Sequence, residues 1–390
     1  MNPSWSQRPA SQIRVIVGMS GGVDSSVAAL RLVQAGYQVE GLFMFNWSDD
    51  EAGRCQAAED FDDAAAVAEA LDIPLHRADF SREYKSRVFR YFLDSYAAGR
   101  TPNPDVLCNR EIKFDAFLRH AERLGADAIA TGHYARLIHD TRSTQLLRGL
   151  DPGKDQSYFL AAVPRAALSR ALFPIGDMHK KDVRALARAE GLTIHAKPDS
   201  TGVCFIGERD FEGFLRQYLA GRAGPVRISG GPLDGRTIGE HAGLIYYTIG
   251  QRRGLGLGGV AGASDAPWYV AAKDLDSDTL WVTQDDAHPA LIETGLRTGK
   301  PHWLIEPPEL PLHCSAQVRY RQRALKCSVA PDANGGLRVH FDTPPRAIAP
   351  GQYVVFYDGD HCLGSAEILA AGLTDDAGST MHHDHAVSSA

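Results

Sequence analysis

A short apolar run, Arg14–Gly18, breaks into Gly18-Met19-Ser20-Gly21-Gly22-Val23-Asp24-Ser25-Ser26 and passes into a helical pattern over Val23–Ala35. A strand that turns through paired glycines directly into a helix constrains the fold more than any other feature of this chain. The glycines let the backbone turn tightly and bring N–H groups close to an anion. The helix start adds a dipole that favours phosphate. Ser20, Ser25 and Ser26 can donate hydroxyls to phosphate oxygens, and Asp24 is placed to hold Mg²⁺ or its waters.

Other uses of such a junction fit less well. No Gly-Lys-[Ser/Thr] follows the glycines, so this is not a Walker A loop. Gly18-x-Ser20-x-Gly22 matches a nucleophile elbow in form. An elbow on the first strand would have almost no sheet before it, and no oxyanion motif precedes it. A purely structural turn is the bland reading, and such turns rarely assemble two glycines and three hydroxyls. Gly254-x-Gly256-x-x-Gly259 has the dinucleotide spacing but neither follows a clear strand nor opens a helix.

Downstream, strand-like segments alternate with helical ones: Val39–Phe45, a helix over about 56–71, a strand near Pro74–Ala78, a helix over Ala116–Leu124 and a strand at Ala128–Thr131. This βαβα rhythm predicts an α/β fold with a doubly wound parallel sheet and ligands at the carboxyl ends of its strands. After about residue 210 glycine becomes dense. From Trp268 onward short alternating segments (WYVAAKD, TLWVTQD, CSAQVRY, LKCSVA, LRVHFD, YVVFYD) predict a small antiparallel β-barrel or sandwich. The expected organisation is a catalytic domain at 1–210, a small central domain at 211–280, a C-terminal β-barrel at 281–370 and a disordered tail at 371–390.

The chain has 390 residues, 44% hydrophobic and 23% charged, with a net charge of −7. That composition suits a globular chain and excludes a collagen or a disulfide miniprotein. The acidic balance argues against a protein coated in positive charge, but binding depends on where charge sits. Residues 312–330 hold Arg319, Arg321, Arg323 and Lys326 with no acid, and Tyr320 interleaves as a stacking group. A solvated strand face is the alternative for that run. The acids Asp49, Asp50, Glu51, Glu59, Asp60, Asp62 and Asp63 read as a solvated helix face around Cys55. No apolar stretch is long enough for a membrane helix or a secretory signal, which predicts a cytoplasmic protein.

Six cysteines form no disulfide framework and no C-x-x-C. Cys314, Cys327 and Cys362 lie in alternating β segments and read as core. Cys108 follows the stiff Thr101-Pro-Asn-Pro-Asp segment, where a helix is expected to begin around Cys108 itself. A thiol there, with Arg110 and Lys113 nearby, would have a lowered pKa, and Asp105 could exchange a proton with it. A buried structural cysteine with Asp105 as a cap is the alternative. Cys204, in Asp199-Ser-Thr-Gly-Val-Cys, reads as a residue of a mobile loop, reactive or structural. His382, His383 and His385 in the tail have no fold to hold them as metal ligands.

S-G-G-V-D-S resembles the PP-loop of ATP pyrophosphatases. With the strings GMSGGVDSSVAA, AGRTPNPD-LCN-EIKF, ATGHYAR, KDQSYFL, DSTG-CFIGER, TIGQR-GLG, RYRQ and PGQ, the chain from about Ile13 to Leu369 resembles the bacterial tRNA-specific 2-thiouridylases. That resemblance implies ATP-dependent replacement of the C2 oxygen of the wobble uridine by sulfur. It implies nucleotide contacts from Gly18, Met19, Ser20, Gly21, Gly22, Val23, Asp24, Ser25, Met44 and Gly132, with Mg²⁺ on the phosphates. Cys204 would carry a persulfide, Cys108 would close a disulfide with it, and Asp105 would act as general acid/base. Asn103, Pro104 and Asp105 would face the target base. His133, Lys154, Asp155, Gln156, Arg319, Tyr320 and Gln352 would contact tRNA, and a sulfur-donor protein would load Cys204. An iron–sulfur cluster on Asp105, Cys108 and Cys204 is the alternative sulfur route. One departure is Phe45, where many relatives have lysine.

Overall fold

The computed structural model describes residues 4–47, 51–140, 143–199 and 211–373. The first sheet is parallel, and its strands are β1 (Arg14–Met19), β2 (Gln38–Phe45), β3 (Leu75–Asp79) and β4 (Ala128–Ala130). A hairpin of β5 (Ala135–His139) and β6 (Thr144–Arg148) intervenes before the last strand, β7 (Ala171–Leu172). The order β3-β2-β1-β4-β7 puts β1 at the centre. Five of its six residues are buried, as a strand covered on both faces requires. Alternation splits them. Val15, Val17 and Met19 join one apolar cluster with Val27 and Leu30, whereas Ile16 joins the opposite one with Phe92 and Phe117. Val27 and Leu30 belong to α1 (Val23–Gln34), the predicted helix. The chain runs on through α2 (Glu51–Ala70), α3 (Pro104–Cys108) and α4 (Lys180–Ala189).

A second, four-stranded sheet comprises β8 (Gly224–Ile228), β9 (Thr237–His241), β10 (Tyr269–Asp274) and β11 (Thr279–Thr283), ordered β10-β11-β8-β9. WYVAAKD, inside the expected central domain, and TLWVTQD, across its expected boundary at 280, supply β10 and β11 of this sheet, although their alternation resembles that of the barrel strands. Alternation reports a half-buried strand and is blind to which sheet takes it.

The third sheet contains β12 (Gly295–Thr298), β13 (His302–Trp303), β14 (Leu312–Gln317), β15 (Leu325–Pro331), β16 (Leu337–Phe341), β17 (Tyr353–Asp358) and β18 (His361–Ala371). The order β12-β16-β15-β14-β17-β18 closes because β12 also pairs with β18, giving an antiparallel barrel around Val329, Val339, Phe341, Val354 and Phe356. The β5–β6 hairpin joins it through His361 opposite Leu147, so the barrel is fastened to the first sheet's crossover. Among the described residues no helix is long and apolar enough to cross a membrane.

Candidate functional site

The parallel sheet reverses its direction of growth between β1 and β4, and the crevice beyond such a switch point is where ligands bind. The loop after β1 and the loop after β4 flank that crevice. Gly22 precedes α1 with no side-chain cap, which leaves first-turn N–H groups to an outside acceptor. Ser25 Oγ braces the loop, accepting from Ser20 N at 3.1 Å and donating to the Gly22 carbonyl at 3.1 Å. Gly21 has φ +70°, and a Cβ there would lie 2.2 Å from the Asp60 carbonyl oxygen. A Cβ on Gly132 would lie 2.6 Å from the Asp24 carbonyl carbon and 2.7 Å from Ser25 N. Met44 reaches in from the end of β2: its Cε would be 3.2 Å from a Cβ on Gly18. Met19 and Val23 are buried and support this cradle from below. The predicted nucleotide residues therefore converge, and the cradle fits a polyphosphate.

Lys180, the first residue of α4, was not singled out by the sequence. Its Nζ donates to both Asp24 oxygens, at 2.7 and 2.8 Å, and lies 2.7 Å from Asp199. Tyr134 Oη donates to Asp24 at 2.7 Å. The carboxylate expected to hold Mg²⁺ is thus already engaged, and a metal at the phosphates would share it with Lys180. Lys154 and Arg184 also bind Asp199. Burial pulls the Asp199 carboxyl upward, but the hydrogen bonds from Lys154 and Lys180 outweigh it and hold it below the usual carboxylate range. Asp199 stands five positions before Cys204, which lies outside the described residues.

The acidic run also departs from expectation. Lys197 Nζ donates to Asp60 and Asp63, so this face of α2 is tied down rather than merely solvated. Nothing is described for the side chain of Cys55. At position 45, where the resemblance expects lysine, the Phe45 ring instead carries the Arg77 guanidinium 4.1 Å from its centroid, a cation–π contact.

The helix carrying Asp105 starts earlier than the sequence suggests. Asn103 is its N-cap, accepting from Val106 N at 3.3 Å, with Pro104 in the first turn. Cys108 is therefore the last residue of α3, not the first, and is only 2% exposed. It gains no first-turn N–H field, and the cap is Asn103 rather than Asp105. The helix continues as a π-helical stretch, Asn109–Ala116, a widening common at functional sites. Burial raises the Asp105 carboxyl above its ordinary range, opposed by the charge of Lys113. The same lysine acts on His133, which burial holds well below its ordinary pKa. His133 packs beside Phe114 and Phe173, and its Nδ1 is 2.6 Å from Thr131 Oγ1.

The residues predicted to touch RNA form the other wall. Gln156 is bonded to Tyr134 through both backbone and side chain, and Asp155 is held by Arg148, Gly149 N and Ser157. Arg319 and Tyr320 are not on a strand face; they occupy the turn between β14 and β15. Arg319 Nη2 donates to the Ile249 carbonyl at 2.8 Å, fastening the barrel to the loop between β9 and β10. Tyr320 packs on Phe159, with ring centroids 4.3 Å apart, and Asn109 Nδ2 donates to the Phe159 carbonyl. Gln352 binds the Thr101–Asn103 segment. This wall therefore adjoins α3.

Comparison with known proteins gives this arrangement a family. Models for a tRNA methyl transferase HUP domain, a tRNA methyl transferase PRC-barrel domain and an aminomethyltransferase beta-barrel domain match residues 13–208, 212–284 and 293–368. The chain is 54% identical over 357 residues to the tRNA-specific 2-thiouridylase MnmA of Chromohalobacter salexigens, covering 91% of this chain and 92% of that one. The chain belongs to the tRNA-specific 2-thiouridylase family. Other members are similarly near: that of Legionella pneumophila strain Philadelphia 1 at 53% identity, covering 91% and 98% of the two chains, and that of Pseudomonas aeruginosa LESB58 at 54%, covering 94% and 96%. A parallel-sheet domain, a PRC-barrel domain and a closed antiparallel barrel, in that order, make up the family architecture in this chain.

Thiouridylase chemistry has two sulfur routes in view. Among the described residues, no three or more His, Cys, Asp or Glu side chains group as a metal site. The cluster route's third ligand, Cys204, lies outside them.

Proposed function

We propose that this enzyme uses ATP to convert the C2 carbonyl of a tRNA wobble uridine into a thiocarbonyl, in the cytoplasm. The observation that carries the reading is a phosphate cradle closed by the β4 loop, with the charge of Lys113 acting on both His133 of that loop and Asp105 of α3, in a chain of this family. The C2 oxygen is a poor leaving group. Its attack on the α-phosphate of ATP releases diphosphate and leaves an adenylate, so that AMP departs in its place. Backbone N–H groups at Gly18–Ser25 would hold the phosphates, with Met44 and Gly132 closing the nucleotide site. Magnesium would arrive with the triphosphate, since Asp24 is a single carboxylate already shared with Lys180.

Sulfur would come from a donor protein as a persulfide on Cys204. Its terminal sulfur attacks C2 and AMP leaves; the Cys108 thiolate then attacks Cys204 Sγ and breaks its bond to the transferred sulfur, which keeps the electron pair as the thiocarbonyl. The products are a 2-thiouridine and a Cys108–Cys204 disulfide, which a dithiol reductant must reopen. Asp105, with its raised pKa, suits proton exchange at this step. The target base must leave the anticodon stack, with Asn103–Asp105 as its seat and His133, Lys154–Gln156, Arg319, Tyr320 and Gln352 around it.

The test incubates the protein with ATP, Mg²⁺, a persulfide donor and unmodified tRNA, followed by nucleoside mass spectrometry. The expected product is 2-thiouridine at the wobble position, abolished by Cys108→Ser and by Cys204→Ser. Undiminished AMP production without tRNA in both variants would instead indicate a small-molecule ligase. Stoichiometric iron in the anaerobically purified protein would move the sulfur route to a cluster.

A further inference from the structure

The C-terminal barrel contains two thiols that the thiolation chemistry does not use. Cys314 on β14 and Cys327 on β15 are directly opposed in the antiparallel register, and their Sγ atoms lie 3.7 Å apart. Opposed residues of an antiparallel pair have Cα atoms about 4.5–5.5 Å apart. A disulfide needs about 4.4–6.8 Å, so a rotation about χ1 suffices to bring the sulfurs into bonding range. The third barrel cysteine makes the contrast. Cys362 on β18 is fully buried opposite Tyr357, and burial pushes its thiol up to about 12.

The two opposed thiols are also unequal. Cys327 belongs to the barrel core and is 3% exposed, whereas Cys314 is half-buried and reachable from solvent. The hydrogen bond between the two sulfurs lowers the Cys314 thiol, against burial and the charge of Asp358. The same bond, with burial and the charge of Asp342, raises the Cys327 thiol. A more exposed attacking thiol and a buried resolving thiol opposite it are the two parts of a dithiol redox site.

We propose that Cys314 and Cys327 form a second redox-active dithiol, oxidised by small-molecule disulfides to a cross-strand bond that staples the β14–β15 hairpin. The Cys314 thiolate attacks one sulfur of a disulfide such as oxidised glutathione, forming a mixed disulfide and expelling one glutathione thiolate. Cys327 then loses its proton and attacks the Cys314 sulfur. The Cys314–Cys327 bond forms, the second glutathione leaves, and the proton passes to the expelled thiolates through solvent. Two electrons move from the protein thiols to the oxidant. The bond closes a loop containing Arg319 and Tyr320, and so fixes the hairpin that ties the barrel to Ile249 and Phe159. This site stands apart from the Cys108–Cys204 chemistry and does not depend on it.

The test uses the full chain, equilibrated with defined ratios of oxidised to reduced glutathione, alkylated, digested and mapped by mass spectrometry. Wild-type protein is expected to yield a linked peptide joining Cys314 to Cys327, separable by mass from any Cys108–Cys204 pair. Cys327→Ser should trap glutathione on Cys314. Cys314→Ser should leave Cys327 reduced and alkylated only after denaturation. Thermal unfolding of the oxidised wild type should move up by several degrees, and neither variant should show the shift. A stable glutathione adduct on wild-type Cys314, full alkylation of both thiols across all ratios, or failure of the Cys327→Ser protein to take up glutathione at Cys314 would each overturn the proposal.

Discussion

Gln352 Nε2 donates to the Thr101 carbonyl at 2.9 Å, and through this bond the C-terminal barrel holds the segment that starts the Asp105 helix. Asn103 Nδ2 returns a bond to Gln352 Oε1 at 3.3 Å, and Thr101 N donates to the Pro350 carbonyl at 2.8 Å. Gly351 permits the contact, because a Cβ there would lie 2.9 Å from the Thr101 oxygen at a φ of +91°. Domains distant in sequence thus meet at the proposed base seat. A residue expected to touch tRNA also braces that seat from within the protein.

Gln352→Ala should therefore loosen residues 101–108 before any RNA binds. Removing these bonds costs about 1 kcal/mol each. The expected result is faster amide exchange across 101–108 in the RNA-free protein, with a lower thiolation rate. Unchanged exchange in that segment would confine Gln352 to RNA contact.

Lys180 joins the phosphate loop to Asp199. Lys180→Ala leaves Asp24, among the described residues, with the Tyr134 hydroxyl and removes one of the cations on Asp199. A loss of about 1–3 kcal/mol follows for charge-assisted bonds at a half-buried site. The KM for ATP should rise about five- to 150-fold, at 1.4 kcal/mol per tenfold, with tRNA affinity little changed. Steady-state kinetics with ATP varied, beside a tRNA-binding titration, decide this. Equal losses in both would mean that Lys180 supports the fold and not the phosphate site.

Part of this site was legible in the chain and part was not, for identifiable reasons. The phosphate loop shows in sequence because every demand on it is local: a buried strand, paired glycines and hydroxyls within nine residues. Lys180 is invisible because its partner is 156 positions away and lysine at a helix start is unremarkable. At Cys108 sequence and structure differ by phase: Asn103 can cap a helix, but prolines at 102 and 104 suggest extended chain beyond the point where Pro104 itself opens the helix. Arg319 and Tyr320 read as strand because the alternation continues through Val318, whereas pairing of β14 stops at Gln317.

Gly132→Ala tests how closely the two loops of the crevice approach. The added methyl meets the backbone of Asp24 and Ser25 at less than 3 Å, and backbone cannot rotate away as a side chain can. One loop must shift, with a cost of about 1–3 kcal/mol for overpacking. ATP binding should fall steeply while the far-ultraviolet spectrum and the tRNA affinity hold. Isothermal titration with a non-hydrolysable ATP analogue measures the loss, and wild-type affinity in this variant would show that the crevice is slack.

His133 makes stability depend on pH near neutrality. Buried between Phe114 and Phe173, it stays neutral in the fold to well below its ordinary value of 6.5. Above that value neither the folded nor the unfolded chain binds the proton. As pH falls below it, the unfolded chain takes the proton and the folded one does not, so stability declines until the folded pKa is reached. Each unit in that window removes up to about 1.4 kcal/mol. His139, also lowered by burial, adds in the same direction. Asp105 works oppositely: its raised pKa lets the folded chain take a proton first, which favours the fold as acid is added. Comparing wild type with His133→Gln separates these contributions. Urea midpoints at pH 7, 6 and 5 should fall in the wild type and fall less in the variant, even though the variant starts lower. Parallel profiles would mean that His133 takes its proton in the folded state as readily as in the unfolded chain.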